Sequence, residues 1–170
     1  MNTRKLVLPA ILSLLAALFI LAGRPLSERP VEKFTGTSTC GPTIGPPPKV
    51  VETGIRFTGQ EQICTDKTSD PRLSGTTTIT IHGTLNTKAN NAGRMWGTIK
   101  TVNAGGEWEG LWTGKIDKQG RLFIHSKLVG MRGYYGLQAV SNAQRLAPDA
   151  LYTLKGYVYE ATKPIVVLPE

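Results

Sequence analysis

The stretch Gly105–Gly120, GGEWEGLWTGKIDKQG, decides how this chain is read. Trp108, Gly110, Trp112, Gly114 and Ile116 alternate with Glu107, Glu109, Leu111, Thr113 and Lys115. A period of two is the period of a β-strand, so the first set shares one face and the second set the other. The indoles and glycines belong inward, where a glycine leaves room beside each indole for a neighbouring strand's side chain or for a bend. The glutamates and the lysine then face solvent. Such an inward column has two uses: it fills a packed aromatic core, or it walls a cavity for an apolar ligand or a sugar ring. Trp96, on the preceding strand, is either a neighbour of the column or part of the outer face.

The same pattern extends in both directions. VVETGIRFTGQEQIC and GTTTITIHGTL, upstream, are rich in Thr, Val and Ile, whose branched side chains suit a pleated surface. Thr77, Ile79 and Ile81 point one way; Thr76, Thr78, Thr80 and His82 point the other. MWGTIKTV, RLFIHSKLV, YYGLQAV and LYTLKGYVYE complete the set. Turns are marked at Asn90–Gly93, Asn103–Gly106, Asp117–Gly120 and Gly130–Gly133. Closely spaced strands with short connections make an antiparallel meander rather than βαβ units. Seven or eight strands suit a sandwich or a closed barrel, and closure removes exposed edges. One helical piece is expected, near Ser141–Leu151, limited by Pro148 to a turn or two. The domain is expected over residues 49–170.

The chain of 170 residues carries a formal charge of +8. Residues 1–23 have the form of a secretory signal peptide or signal anchor: Arg4 and Lys5 precede an uncharged apolar run from Leu6 to Ala22. Cleavage is the expected fate, and retention as a membrane anchor by residues 6–22 is the alternative. An extracytoplasmic location follows, secreted or in the cell envelope. Residues 24–48 then read as a proline-rich flexible tether ending in Gly45-Pro46-Pro47-Pro48. The basic residues are scattered rather than striped, so the footprint of a nucleic-acid binder is missing. Cys40 and Cys64, the only cysteines, suit a disulfide in an oxidising compartment, with free thiols as the alternative. With no histidine near them they do not suggest zinc.

The segment KLVGMRGYYGLQAV, Lys127–Val140, resembles the Gly-x-Gly-x-Tyr-x-Gly segment of the allene oxide cyclase and dirigent-like barrels. The Gly/Trp column beside it is similar to that of uncharacterised exported bacterial proteins of the same barrel type. Met131 and Arg132 before Gly133 depart from the family pattern. The resemblance implies an all-β, antiparallel, eight-stranded closed barrel with a central cavity. It implies no activity, because the cyclases' catalytic positions do not map onto this chain.

Chemistry-bearing residues are few. His82 and His125 lack a third ligand for a metal, and no metal or cofactor is expected. His125 needs a carboxylate partner to serve as an acid or base. Glu107 and Glu109 stand in parallel on one outward face, unlike a glycosidase pair across a cleft. The Asp70-Pro71-Arg72 turn reads as a loop brace in which Arg72 bridges to Asp70 or Asp66. Three functions remain in view. The first is a non-enzymatic exported barrel binding a small apolar or amphipathic molecule, or acting as an envelope interaction module, with Trp108, Trp112, Tyr134 and Tyr135 as the lining. The second is an isomerase or cyclase acting on a lipid-like substrate through His125 or a buried acid. The third is a carbohydrate-binding module with exposed tryptophans as stacking platforms.

Overall fold

A computed structural model describes residues 31–147 and 151–161; the leader expected over residues 1–23 lies outside them. Nine strands follow in chain order: β1 (Glu32–Cys40), β2 (Lys49–Val51), β3 (Gly54–Thr68), β4 (Gly75–Asn86), β5 (Ala92–Asn103), β6 (Gly106–Ile116), β7 (Leu122–Met131), β8 (Leu137–Arg145) and β9 (Tyr152–Glu160). Short 3₁₀ turns at Pro71–Leu73 and Thr87–Ala89 are the helical elements among the described residues. From β3 to β9 each strand pairs antiparallel with the next, and β1 pairs with both β9 and β3. Eight strands therefore form a continuous ring of hydrogen bonds, a barrel, with the short β2 lying on β3 outside the ring.

The turns close for local reasons. Asn90 and Asn91 take φ of 52° and 58°, the left-handed region that Asn tolerates. Asp117 Oδ1 accepts from the backbone N–H of Gln119 and of Arg121, folding the β6–β7 turn around one carboxylate. In β3 the register shifts between Phe57 and Gln60, where Gly59 has φ of 66°, a bulge that bends this long strand round the ring.

Two expectations are corrected. Residues 32–40 are not tether: they form β1, and the compact unit begins at Val31. The reason lies in β1's inward side chains, Phe34, Gly36, Ser38 and Cys40, which are mostly small or polar and so hide the alternation of a half-buried strand. Ser141–Arg145 is not helix either. It is the second half of β8, paired on one side with β7 and on the other with β9, and two ladders outweigh local helix propensity.

The core is aromatic rings fitted into glycine gaps. A Cβ at Gly156 would stand 2.7 Å from Phe34 Cζ, and one at Gly97 would stand 3.1 Å from Trp112 Nε1. At one end the Pro71–Leu73 turn plugs the ring. Leu73 packs there with Phe34, Trp108, Leu128 and Val158, and Trp108 Nε1 donates to the Arg72 carbonyl at 2.8 Å. Asn103 ties the plug down: its Nδ2 donates to the carbonyls of Arg72 and Ser74, and its Oδ1 accepts from the Gly105 N–H and from Tyr134 OH. Arg72 forms the expected brace with Asp70, at 2.6 Å, and also meets Glu32 of β1. The hydrogen bond from Arg72 holds the Asp70 carboxyl below its ordinary range.

The expected disulfide is present: Cys40 and Cys64 are directly opposed across the β1–β3 seam, 24 residues apart in the chain. Closing that loop restricts the unfolded chain, so the double variant Cys40→Ser/Cys64→Ser is expected to lose about 3 kcal/mol of stability. Urea midpoints of the two proteins check this. A variant as stable as the parent would show that the ladder alone holds the seam.

Candidate functional site

Inside the ring, alternate residues of each strand face one another in rows set by the register. One row crosses the seam. Arg145 of β8 stands beside Tyr152 of β9, Tyr152 is paired with Ser38 of β1, and Ser38 is paired with Asp66 of β3. Four adjacent inward positions on four successive strands of the ring are thus polar. Asp66 is enclosed between Ser38 and Thr77, whose hydroxyl donates to Asp66 Oδ2 at 2.6 Å. The Thr77 and Thr101 hydroxyls lie 2.7 Å apart, carrying the network on to β5. Burial pushes the Asp66 carboxyl above its ordinary range, and the hydrogen bonds from Ser38 and Thr77 offset only part of that rise. Burial likewise raises the Tyr152 phenol, opposed by the charge of Arg145.

A cavity of about 70 Å³ adjoins this row. Asp66, Ser38 and Tyr152 give it a polar side, while Trp112, Ile99 and Leu128 are among its apolar walls. That volume has room for roughly five waters. It is several-fold below the roughly 300–1,000 Å³ typical of pockets for drug-sized ligands. Arg145 is not part of the lining, but its guanidinium lies 5.1 Å from the centre of the Tyr152 ring, a cation–π contact. Its Nε is buried without a hydrogen-bond partner among the described residues. The Asp66 carboxyl can accept from a guest, and also donate when it is protonated, while the Arg145 Nε–H, without a partner among the described residues, needs an acceptor. Together they can hold the polar end of a small guest.

The expected lining residues fare differently. Trp112 does line the cavity, its Nε1 donating to the Thr80 carbonyl at 3.1 Å. Trp108 is inward but fully buried in the plug, stacked on Tyr134 with ring centres 5.2 Å apart. Trp108 thus belongs to the packed core, while Trp112 borders the cavity. Tyr135, 72% exposed, is outside the barrel, because the turn through Gly133 and Gly136 sends successive tyrosines to opposite sides. His125 is also outside: it alternates with the inward Ile124 and Ser126, and its Nδ1 lies 3.0 Å from Asn142 Oδ1. It cannot act on a guest in the lumen. Glu107 and Glu109 face outward, both paired with Lys100. Trp96 lies on the outer face, 48% exposed. Among the described residues no three His, Cys, Asp or Glu side chains are grouped to hold a metal ion.

The sequence reading took Asp66 only as an alternative brace partner for Arg72, which pairs instead with Asp70 and Glu32, and passed over Ser38 and Tyr152. A signal for Asp66 was available: it stands two residues after Cys64 in an extended stretch, so a cysteine that pairs inside the barrel carries Asp66 inside with it.

No family model matches the chain, and no curated protein matches its sequence. Among solved structures, the Diels Alderase AbmU from Streptomyces koyangensis is similar at 15% identity with a TM-score of 0.47, over 99% of this chain and 86% of that one.

Asp66 supplies a pH signature. Between the ordinary value of 3.8 and its raised folded value, the folded state holds the proton more tightly than the unfolded state. Stability contributed by this group is therefore lost as pH rises through that window. Relative to Asp66→Asn, the parent's urea midpoint is expected to fall from about pH 4 upward. A parent that gains on the variant over the same range would show that hydrogen bonding, not burial, dominates at Asp66.

Proposed function

We propose that this protein is an exported, non-enzymatic barrel that holds a small amphipathic molecule in its lumen. The observation that carries the reading is the Asp66 carboxyl enclosed beside an apolar cavity, next to Ser38 and Tyr152. Partly burying a carboxyl costs stability, and the hydrogen bonds from Ser38 and Thr77 offset only part of that cost. A guest with a hydroxyl, amide or carboxyl end supplies a hydrogen-bond partner, and its apolar part packs on Trp112 and Leu128. The cavity volume sets the size class: a few heavy atoms, not the lipid-like chain of a plant cyclase's substrate. Export is supported by the leader sequence and by the disulfide, which suits an oxidising compartment. Kinship with the allene oxide cyclase and dirigent-like barrels is part of the proposal. The closed ring supports it, as do the left-handed turn glycines Gly133 and Gly136 inside the Gly130–Gly136 segment.

The isomerase or cyclase reading keeps one specific support, the Asp66 carboxyl, which burial raises and which borders the cavity as a candidate proton-transfer group. Native mass spectrometry of protein purified gently from its own host separates the two readings. A binder is expected to carry an adduct of fixed mass, lost on denaturation and weakened at least tenfold in Asp66→Asn, and recovered unchanged after incubation. Recovery of an isomerised or cyclised molecule would favour the enzyme. A protein that remains bare and takes up no small hydroxylated or carboxylated molecule would overturn both.

A further inference from the structure

The outer face of β5–β8 carries a second constellation, independent of the lumen. Trp96, Thr113, His125 and Asn142 are successive cross-strand partners, and the next row is Arg94, Lys115 and Phe123. All point outward, alternating with the inward Met95, Gly114 and Ile124. Between them runs an open groove of about 720 Å³, in which Gly114 contributes no side chain. Trp96 is 48% and Phe123 39% exposed there. Trp96 is held in place: His82 stacks alongside it at 6.3 Å, and His82 Nδ1 accepts from the Gly59 N–H.

The charges in this groove are unbalanced. Arg94 faces Lys115 directly across the β5–β6 ladder, and like charges in register are unfavourable. Some surface cations are neutralised by carboxylates, Lys100 by Glu107 and Glu109, Arg121 by Asp117 and Arg132 by Glu107. Neither Arg94 nor Lys115 belongs to an ion pair among the described residues, and no carboxylate lines the groove. Two opposed cations beside two exposed aromatic rings form an arrangement that a ligand with an anionic group and a flat apolar face would stabilise.

We propose that this groove binds an acidic glycan. The apolar face of a sugar ring stacks on Trp96, its carboxylate or sulfate is held between Arg94 and Lys115, and Asn142 and His125 hydrogen-bond its hydroxyls. A membrane surface is a poorer fit, since a flat bilayer does not enter a groove. So is single-stranded nucleic acid, whose continuous phosphate chain calls for a tract of cations rather than one opposed pair.

The test titrates the full protein with oligogalacturonate, sulfated dextran fragments and neutral dextran, with single-stranded DNA and anionic vesicles as competing polyanions. Calorimetry and tryptophan emission give the readout. The expected result is salt-sensitive binding of the acidic oligosaccharides, with the carboxylated and sulfated arms showing which anionic group is preferred, and at least tenfold weaker binding of neutral dextran. Trp96→Ala and Arg94→Gln/Lys115→Gln are each expected to weaken binding at least tenfold, with unchanged near-ultraviolet circular dichroism. Tyr135→Ala, exposed but not part of the groove, is expected to bind like the parent. Equal binding of neutral dextran, binding of DNA or vesicles alone, retention of binding in both groove variants, or no binding at all would each overturn the proposal.

Discussion

Everything in this molecule depends on β1 lying between β9 and β3. Without it the sheet is an open meander with two bare edges, each a template for pairing with another chain. With it the sheet becomes a ring, and residues far apart in sequence become neighbours. The closure is uneven. β1 runs beside β9 for seven residue pairs but beside β3 for five, from Gly36↔Thr68 to Cys40↔Cys64. The shorter seam is the one that carries the disulfide, and the brace of Arg72 to Glu32 and Asp70 ties β1 to the plug. Covalent and ionic links thus sit where the ladder is thinnest.

The closure also explains the interior. At the plug end Trp108, Phe34 and Leu73 pack together. The seam is polar because the strands that meet there contribute Tyr152, Ser38 and Asp66 from adjacent inward positions. A barrel filled for stability alone would place apolar side chains in that row, since an enclosed carboxyl with a raised pKa marks a net desolvation cost. Asp66 and the Arg145 Nε, which has no hydrogen-bond partner among the described residues, are the features of this interior that packing does not explain.

How much of this the sequence disclosed differs from strand to strand. Where a strand has one apolar and one charged face, as β6 does with Trp108 and Trp112 against Glu107, Glu109 and Lys115, the alternation alone assigns strand and face. The all-β class, the antiparallel order, the ring of eight and the cysteine pair could be read at that level or from the family resemblance. β1 and the second half of β8 could not, because strands facing a polar or crowded interior use small residues such as Gly36, Ser38, Ser141 and Ala143, which carry no hydrophobic period. The candidate site was hidden for the same reason. The reading sought a cavity along the whole aromatic column, whereas Trp108 fills the plug and the opening lies where Trp112 and Tyr152 stand among small polar residues such as Ser38, Ser126 and Ser141. Tyr135 and His125 were misplaced differently. A left-handed glycine turn resets the parity for Tyr135, while His125 keeps strict alternation with Ile124 and could have been placed outside from the chain alone.

The most direct test of this account is amide hydrogen exchange in β1, followed by NMR in the oxidised protein. If β1 closes the barrel, the ladder amides between Glu32 and Cys40 will open with free energies close to those of β6, because both belong to one cooperative ring. If those amides exchange at the rate of an unstructured peptide while β6 stays protected, the ring is open. The seam, the polar row and the lumen that depends on them would then not exist as described.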